Sequence, residues 1–203
     1  MHHTIQIEPA LRPYADTKAF RDTMASMAAT ACVVTTQLGA DRLGRTVTSV
    51  LSLSVDPPAI IVSIDAASRL ADQINRTGGF SFAMLAQGQH AIADAFAGGV
   101  DPQHRFEIGK WMSWKSGHPR LSGAVAAMDC AVIGAMSTAT HVLFVGGAVD
   151  IDLAAYRSPL IWQQREYRSL AEAAPPSAPV GRAAAGPVAD RPAAAPRKPG
   201  HSR

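Results

Sequence analysis

Residues 44–58 read GRTVTSVLSLSVDPP, and this run decides the fold. From Thr46 to Val55 it holds only β-branched, aliphatic and small hydroxylated residues, a composition that favours a pleated strand. Asp56-Pro57-Pro58 then closes it, because proline removes a ladder donor and fixes its own φ. In one continuous strand, alternate side chains face opposite ways. One face would carry Thr46, Thr48, Val50, Ser52 and Ser54. The other would carry Val47, Ser49, Leu51, Leu53 and Val55, and its apolar character suits a barrel interior. The first face is small and hydroxylated. Short side chains let a flat ring system lie close to the backbone, whose N–H groups and neighbouring hydroxyls can meet its polar edge. The same pattern describes an ordinary exposed strand face, and the residues alone favour that plainer reading.

Outward from this run the chain alternates strand signals with short helices. Asp16 or Thr17 caps an expected helix to about Ala29, with Phe20, Met24 and Met27 on one face. Residues 31–36 (ACVVTT) read as a strand, and GADRLG at 39–44 as a hairpin-like reversal. Residues 59–64 (AIIVSI) form a buried-type strand. Ser68 caps a short helix through Asn75 that Gly78-Gly79 closes. A strand at 80–85, a helix at 89–96 ended by Gly98-Gly99, and a polar loop at 100–120 with Phe106, Trp111 and Trp114 follow. Strands are expected at 127–135 and 141–151, with a last strand or turn at 158–163. Many strands and few short helices predict a mainly β, α+β chain built as a split antiparallel β-barrel. No GxGxxG and no βαβ alternation is present, so a dinucleotide would be held without that fingerprint.

Composition narrows the function. Of 203 residues, 47% are hydrophobic and 17% charged, enough apolar content for a real core. The net charge of +3 is unevenly placed: five of 19 basic residues and one of 16 acidic ones lie beyond Ala173, leaving 14 and 15 in residues 1–172. The near-neutral body argues against a nucleic-acid-binding protein. Residues 173–203 hold seven prolines and ten alanines with almost nothing large and apolar, which predicts a disordered basic tail. Residues 1–15 read as an extended lead-in, and 16–172 as the folded domain. Cys32 and Cys130 sit in apolar runs without metal-ligand spacing, so buried thiols and no metal site are expected. The start MHHTIQIEP lacks a basic-then-apolar leader, and no apolar run approaches the ~18 residues of a membrane span. A cytoplasmic protein is the expectation.

The string 44–58 resembles the signature of the short-chain flavin reductases, the reductase components of two-component flavin-dependent monooxygenases. Further pieces fall in that family's order: Phe20-Arg21 with Met24, the CVVTT strand, the strand 80–85, Gln89 to Phe96-Ala97-Gly98, Arg105-Phe106, Thr140-His141 before FVGGAV, and Pro159-Leu160 with Tyr167. The resemblance covers about residues 17–170. It implies an FMN-binding split barrel of six strands that binds FMN or FAD, usually as a homodimer, with NADH or NADPH as co-substrate and a partner monooxygenase as consumer of reduced flavin. By position it places Thr46, Thr48, Ser49 and Val50 near the ribityl chain and ring edge, and Ser52, Leu53 and Ser54 beside the isoalloxazine. Ser68 and Arg69 would meet the phosphate, which the free amides and dipole of a helix N-terminus also favour. His141 would position the nicotinamide, and it is the one candidate for a catalytic role. Phe106 could cover a ring face or simply pack its loop. One departure stands out: Ala83 occupies a place where the family's strand often carries Asn. The residues leave open a tightly flavin-bound reductase of another acceptor, such as a metal chelate or a corrinoid, and a non-catalytic flavin-binding module.

Overall fold

The computed structural model describes residues 2–4, 10–154 and 156–170; the expected tail at 173–203 and part of the lead-in lie outside them. Its strands are β1 (His2–Thr4), β2 (Ala29–Thr30), β3 (Cys32–Leu38), β4 (Asp41–Val47), β5 (Val50–Val55), β6 (Pro58–Asp65), β7 (Gly79–Met84), β8 (Trp111–Ser113), β9 (Pro119–Leu121), β10 (Ala126–Ser137), β11 (His141–Leu153), β12 (Ile161–Gln163) and β13 (Glu166–Arg168). The helices are α1 (Thr17–Ala25), α2 (Arg69–Thr77) and α3 (His90–Asp94), with a π turn at Ala95–Gly99 and a 3-10 turn at Pro102–Glu107. The main sheet runs β4-β3-β7-β10-β11-β6-β5, and β1 adds to β10 in parallel. Every other strand pair is antiparallel. This is the expected mainly β architecture of split-barrel type; its sheet is not closed, and its path has seven strands rather than six.

The middle strands are buried on both faces, which is why ACVVTT and the 80–85 run read as continuous rather than alternating. Cys32, Val34, Phe80 and Phe82 pack with Val62, Ile64, Ile74 and Phe144 in one core. Val33, Ala83 and Leu85 pack with Phe96, Trp114, Leu121 and Leu160 in a second. Ala83 therefore sits in an apolar cluster, opposite Val33 and Ala127 in the ladder. Helix α2 seals the first core with Leu70 and Ile74, each burial contributing roughly 1.5–3 kcal/mol. It starts and stops where its residues dictate. The Ser68 hydroxyl accepts from the Ala71 amide at 3.2 Å, and Gly78 takes φ +67° at the C-cap.

The expected loop at 100–120 holds the 3-10 turn, β8 and β9, α2 runs on to Thr77, the helix expected at 89–96 gives way to a π turn after Asp94, and three further boundaries differ from expectation. Helix α1 ends at Ala25, because Ser26 folds its hydroxyl back onto the Thr23 carbonyl at 2.6 Å. The reversal after β3 needs only Gly39 and Ala40, with Gly39 at φ +59°, so 41–44 already belong to β4. The third difference concerns the run that decided the fold. Residues 46–55 are not one strand: β4 ends at Val47, Thr48 and Ser49 are outside any strand, and β5 begins at Val50. The chain there passes from one edge of the sheet to the other, so the two-residue alternation restarts.

Candidate functional site

Strand register fixes which side chains share a face. In β4, Val47 pairs with Cys32 and Arg45 with Val34, so odd positions face the first core. In β5, Val50 pairs with Val62 and Ser52 with Ile60, so even positions do as far as Ser52, beyond which a register shift reverses the alternation. The two expected faces of 46–55 are thus exchanged halfway. Val47 joins Val50 and Ser52, whereas Thr46 turns toward the second core. The expected apolar interior of Leu51, Leu53 and Val55 is instead the outer side, at 53%, 48% and 89% exposure. Leu53 sits in a register shift between Ser52 and Ser54.

A basic pocket forms where β4 meets the start of α2. Arg42, Leu43, Gly44 and Arg45 face Ser68, Arg69, Pro102 and Arg105 across about 230 Å³. A neighbouring space of about 360 Å³ shares Arg42, Leu43, Arg69 and Pro102. Ser68 donates to the Asp65 carbonyl at 2.6 Å while capping the helix. That leaves the Arg69 and Leu70 amides of the first turn as donors without an intrahelical acceptor. Arg105 is held by the carbonyls of Val100 (3.0 Å) and Gly44 (3.3 Å). Arg69 pairs with Asp41 at 2.8 Å. Four guanidiniums and two open amides form a donor set suited to a phosphate. Arg42, Arg45 and Arg105 were not among the expected site residues; the signal available was only their density around Gly44.

His141 opens β11 opposite Asp65, the residue that begins the turn into α2. Its ring Nδ1 lies 2.9 Å from the Thr140 hydroxyl, and the Ala66 amide donates to the Thr140 carbonyl at 3.0 Å. Ser49 reaches the same end of the sheet: its hydroxyl donates to the Ser63 carbonyl at 3.3 Å, and the Ser63 amide donates back to Ser49. Ser49, Ser68, Arg69 and His141 therefore share one end of the sheet, and Thr48 directly precedes Ser49. From there β5 runs as the edge of the sheet path, with one side of its backbone unpaired among the described strands. Val50, Ser52 and Leu53 follow along it. Ser54 lies about 17 Å from Ser49 at ~3.4 Å per residue, and its hydroxyl donates to the Pro57 carbonyl at 2.5 Å.

Two candidates lie elsewhere. Thr46 donates to the Ala93 carbonyl at 2.7 Å and, with Val47 and Thr48, lines a cleft of about 220 Å³ against Ala97, Trp162 and Tyr167. Phe106 is enclosed by aromatic packing, edge-on to Phe96 at 5.1 Å, with the Arg42 guanidinium 4.6 Å above its ring. It is placed as a loop anchor. Trp111 completes that cluster, while the buried Trp114 donates to Ser81 at 2.8 Å. Tyr167 donates to the Asp94 carboxylate at 2.5 Å. Burial first, and then that carboxylate, push its phenol above the ordinary range. Trp162 stands 4.9 Å from Tyr167, and neither was expected to line a site.

Cys32 and Cys130 are free and buried, as expected. No cluster that could hold a metal ion occurs among the described residues, and none of their helices is long and apolar enough to cross a membrane.

The model of the flavin reductase like domain matches residues 24–171. The reductase component of an FADH(2)-dependent resorcinol hydroxylase from Rhizobium sp. strain MTP-10005 is 35% identical over 150 residues, 73% of this chain and 84% of that protein. An FMN reductase (NADH) RutF from Ancylobacter novellus is 31% identical, covering 80% of this chain and 90% of that one. Among solved structures, BorF, the flavin reductase component of a bacterial two-component tryptophan halogenase, superposes with a TM-score of 0.70 at 28% identity, over 76% of this chain and 98% of that one.

Proposed function

The chain belongs to the flavin reductase like domain family, and on that premise we propose that it oxidises NADH or NADPH and supplies reduced FMN or FAD to a separate monooxygenase. The observation that carries this reading is the junction of the arginine-lined pocket at the α2 N-terminus with the open edge of β5. An anionic tail and a flat polar-edged ring need those two features side by side. The Arg69 and Leu70 amides, with Arg45, Arg69 and Arg105, would hold the flavin phosphate. Thr48 and Ser49 would border the ribityl chain. The unpaired backbone groups of β5 from Val50 to Ser54 would hydrogen-bond the ring edge, and the small Ser52 would admit the ring closely. Bound flavin supplies the hydride-accepting chemistry. The chain's contribution is positional: stacking two rings at fixed distance, with His141 orienting the nicotinamide carboxamide. Hydride transfer needs no protein acid or base, so no nucleophile is assigned.

A homodimer fits the same reading. Leu51, Leu53 and Val55 on β5, with Val149, Ile151 and Leu153 on β11, leave six large apolar side chains exposed on the main sheet. A second copy of this chain would cover them. The two free buried thiols accord with a cytoplasmic location.

The test is consumption of NADH or NADPH, followed at 340 nm with FMN and with FAD. Turnover with at least one of the four pairs is expected, and none with any pair overturns the proposal.

A further inference from the structure

A cavity of about 430 Å³ lies at the other end of α2 from the basic pocket. Nine residues of α2 separate the two, a distance of about 14 Å at 1.5 Å per residue. Gly78, Gly79, Ser116, His118, Asp129 and Arg76 contribute to its walls. None of these has a part in the flavin reading.

Two of the lining side chains are deeply buried yet incompletely bonded. Asp129 is 4% exposed and His118 is 5% exposed. The Ser116 hydroxyl donates to Asp129 Oδ1 at 2.9 Å, and the His118 amide donates to the same hydroxyl at 3.3 Å, so one serine ties the two together. No ion pair involves Asp129 among the described residues, and its second oxygen carries no protein donor. The Gln37 amide donates to His118 Nδ1 at 3.3 Å. An amide only donates, so Nδ1 is the acceptor and the neutral ring carries its proton on Nε2. That Nε2–H has no protein acceptor. It packs where a Cβ on Gly79 would come within 2.9 Å of it, so glycine at 79 is what admits the ring. Among the described residues only Arg120 Nε is a sealed side-chain polar atom without a partner, so these two atoms keep solvent contact and stay open to a ligand of the cavity they line.

Neighbouring acceptor and donor groups match a ligand edge that offers an N–H beside a lone pair. The amino group and ring nitrogen of adenine have that arrangement. Arg76, 63% exposed at the rim, supplies a cation for a phosphate tail. We propose that this cavity binds an adenine nucleotide, with Asp129 accepting from the exocyclic amine, His118 Nε2 donating to a ring nitrogen and Arg76 meeting the phosphate. The ligand could be a free adenine nucleotide or the adenosine half of a dinucleotide.

AMP is the probe, titrated calorimetrically into the full chain. One-to-one binding is expected, weakened about tenfold or more in Asp129→Asn and in His118→Ala, with unchanged melting by circular dichroism showing that the variants fold. Photolabelling of the unmodified chain with 8-azido-AMP serves where a variant does not fold: label within 76–79 or 116–131 supports the site. Label confined to 42–69, no AMP binding, or binding that neither variant changes overturns the proposal. Displacement of AMP by NAD identifies the dinucleotide as source, and binding that NAD leaves intact identifies a free nucleotide; either supports the site. The AMP readout needs no flavin, so failure of the reductase reading shows separately, as absent NAD(P)H oxidation with AMP binding retained.

Discussion

Replacing Arg69 by Met removes a charge from the basic pocket while keeping a stem of similar length. If the pocket holds a phosphate, the change must weaken FMN and spare riboflavin, which has the same ring and ribityl chain without the phosphate. Two unit charges about 4 Å apart interact by about 1 kcal/mol in a water-like medium and about 4 kcal/mol at an effective dielectric of 20. The Arg69 side chain is 75% exposed, so the water-like limit applies. A phosphate monoester carries about 1.5–2 negative charges. Asp41, 2.8 Å from Arg69, already neutralises part of the guanidinium. The net loss is then about 1 kcal/mol, or about fivefold in Kd at RT ≈ 0.59 kcal/mol. Asp41→Asn should act oppositely, tightening FMN by a similar factor, because a competing carboxylate is removed. Both effects should shrink in 1 M salt, where the Debye length falls to about 3 Å. Fluorescence titration of FMN and riboflavin against the three proteins, at low and high salt, measures all of this. An equal loss for riboflavin, or a weaker FMN complex in Asp41→Asn, refutes the phosphate assignment.

Gly44→Ala places a Cβ 2.6 Å from Phe96 Cε1 and 2.8 Å from the Thr35 methyl, so overpacking of about 1–3 kcal/mol should lower Tm by several degrees in a calorimetric scan. Tyr167→Phe removes the donor to Asp94 and should destabilise by about 1 kcal/mol in urea, with a single transition retained. Burial raises both thiols from an ordinary 9.0 to about 12, so the native chain should resist iodoacetamide at pH 8 and expose two thiols on unfolding. Their folded values lie above the unfolded ones, so the stability they contribute is complete below about pH 9 and is lost as pH rises toward 12, which a pH series of urea midpoints would reveal. Burial lowers His118 below its ordinary 6.5 against the opposing pull of Asp129, so its contribution is present above that value and is lost as the solution is acidified; His118→Gln should flatten that acid limb.

What was legible in the sequence is what short-range chemistry fixes. Ser68 and Gly78 bracket α2 because a hydroxyl can cap a first turn and only a residue tolerant of positive φ ends the last one easily. The run 59–64, AIIVSI, announced a buried-type strand because it is almost wholly aliphatic and β-branched. The basic pocket was half legible: Ser68 and Arg69 follow from the helix start, but Arg42, Arg45 and Arg105 converge only because β4 and the 3-10 turn fold against α2. His118 and Asp129 left no trace at all. They are 11 residues apart in the chain, and a buried pair is made by the β8–β9 turn bringing Ser116 and His118 against Asp129 of β10.

The run 46–55 shows how a correct composition can yield a wrong face. Nothing in TVTSVLSLSV marks a break, since Thr48 and Ser49 are as suited to a strand as their neighbours. The break comes from the sheet: β4 and β5 lie at opposite ends of the strand order, and a chain crossing between them must leave the ladder for at least a residue or two. An even-length interruption would preserve parity in a straight strand. Here the chain also changes direction between two edges, so Val47 and Val50, three apart, both point inward. That exchange has a functional consequence. It removes Thr46 from the flavin strand and turns it against α3, while it leaves Val50 and Ser52 on the inner side and Leu51 outside, and Leu53 and Val55 stay exposed at and beyond the register shift. A single edge strand can then present its inner face and unpaired backbone to a ring while its outer face stays apolar enough for a second copy, which the uninterrupted alternation could not supply.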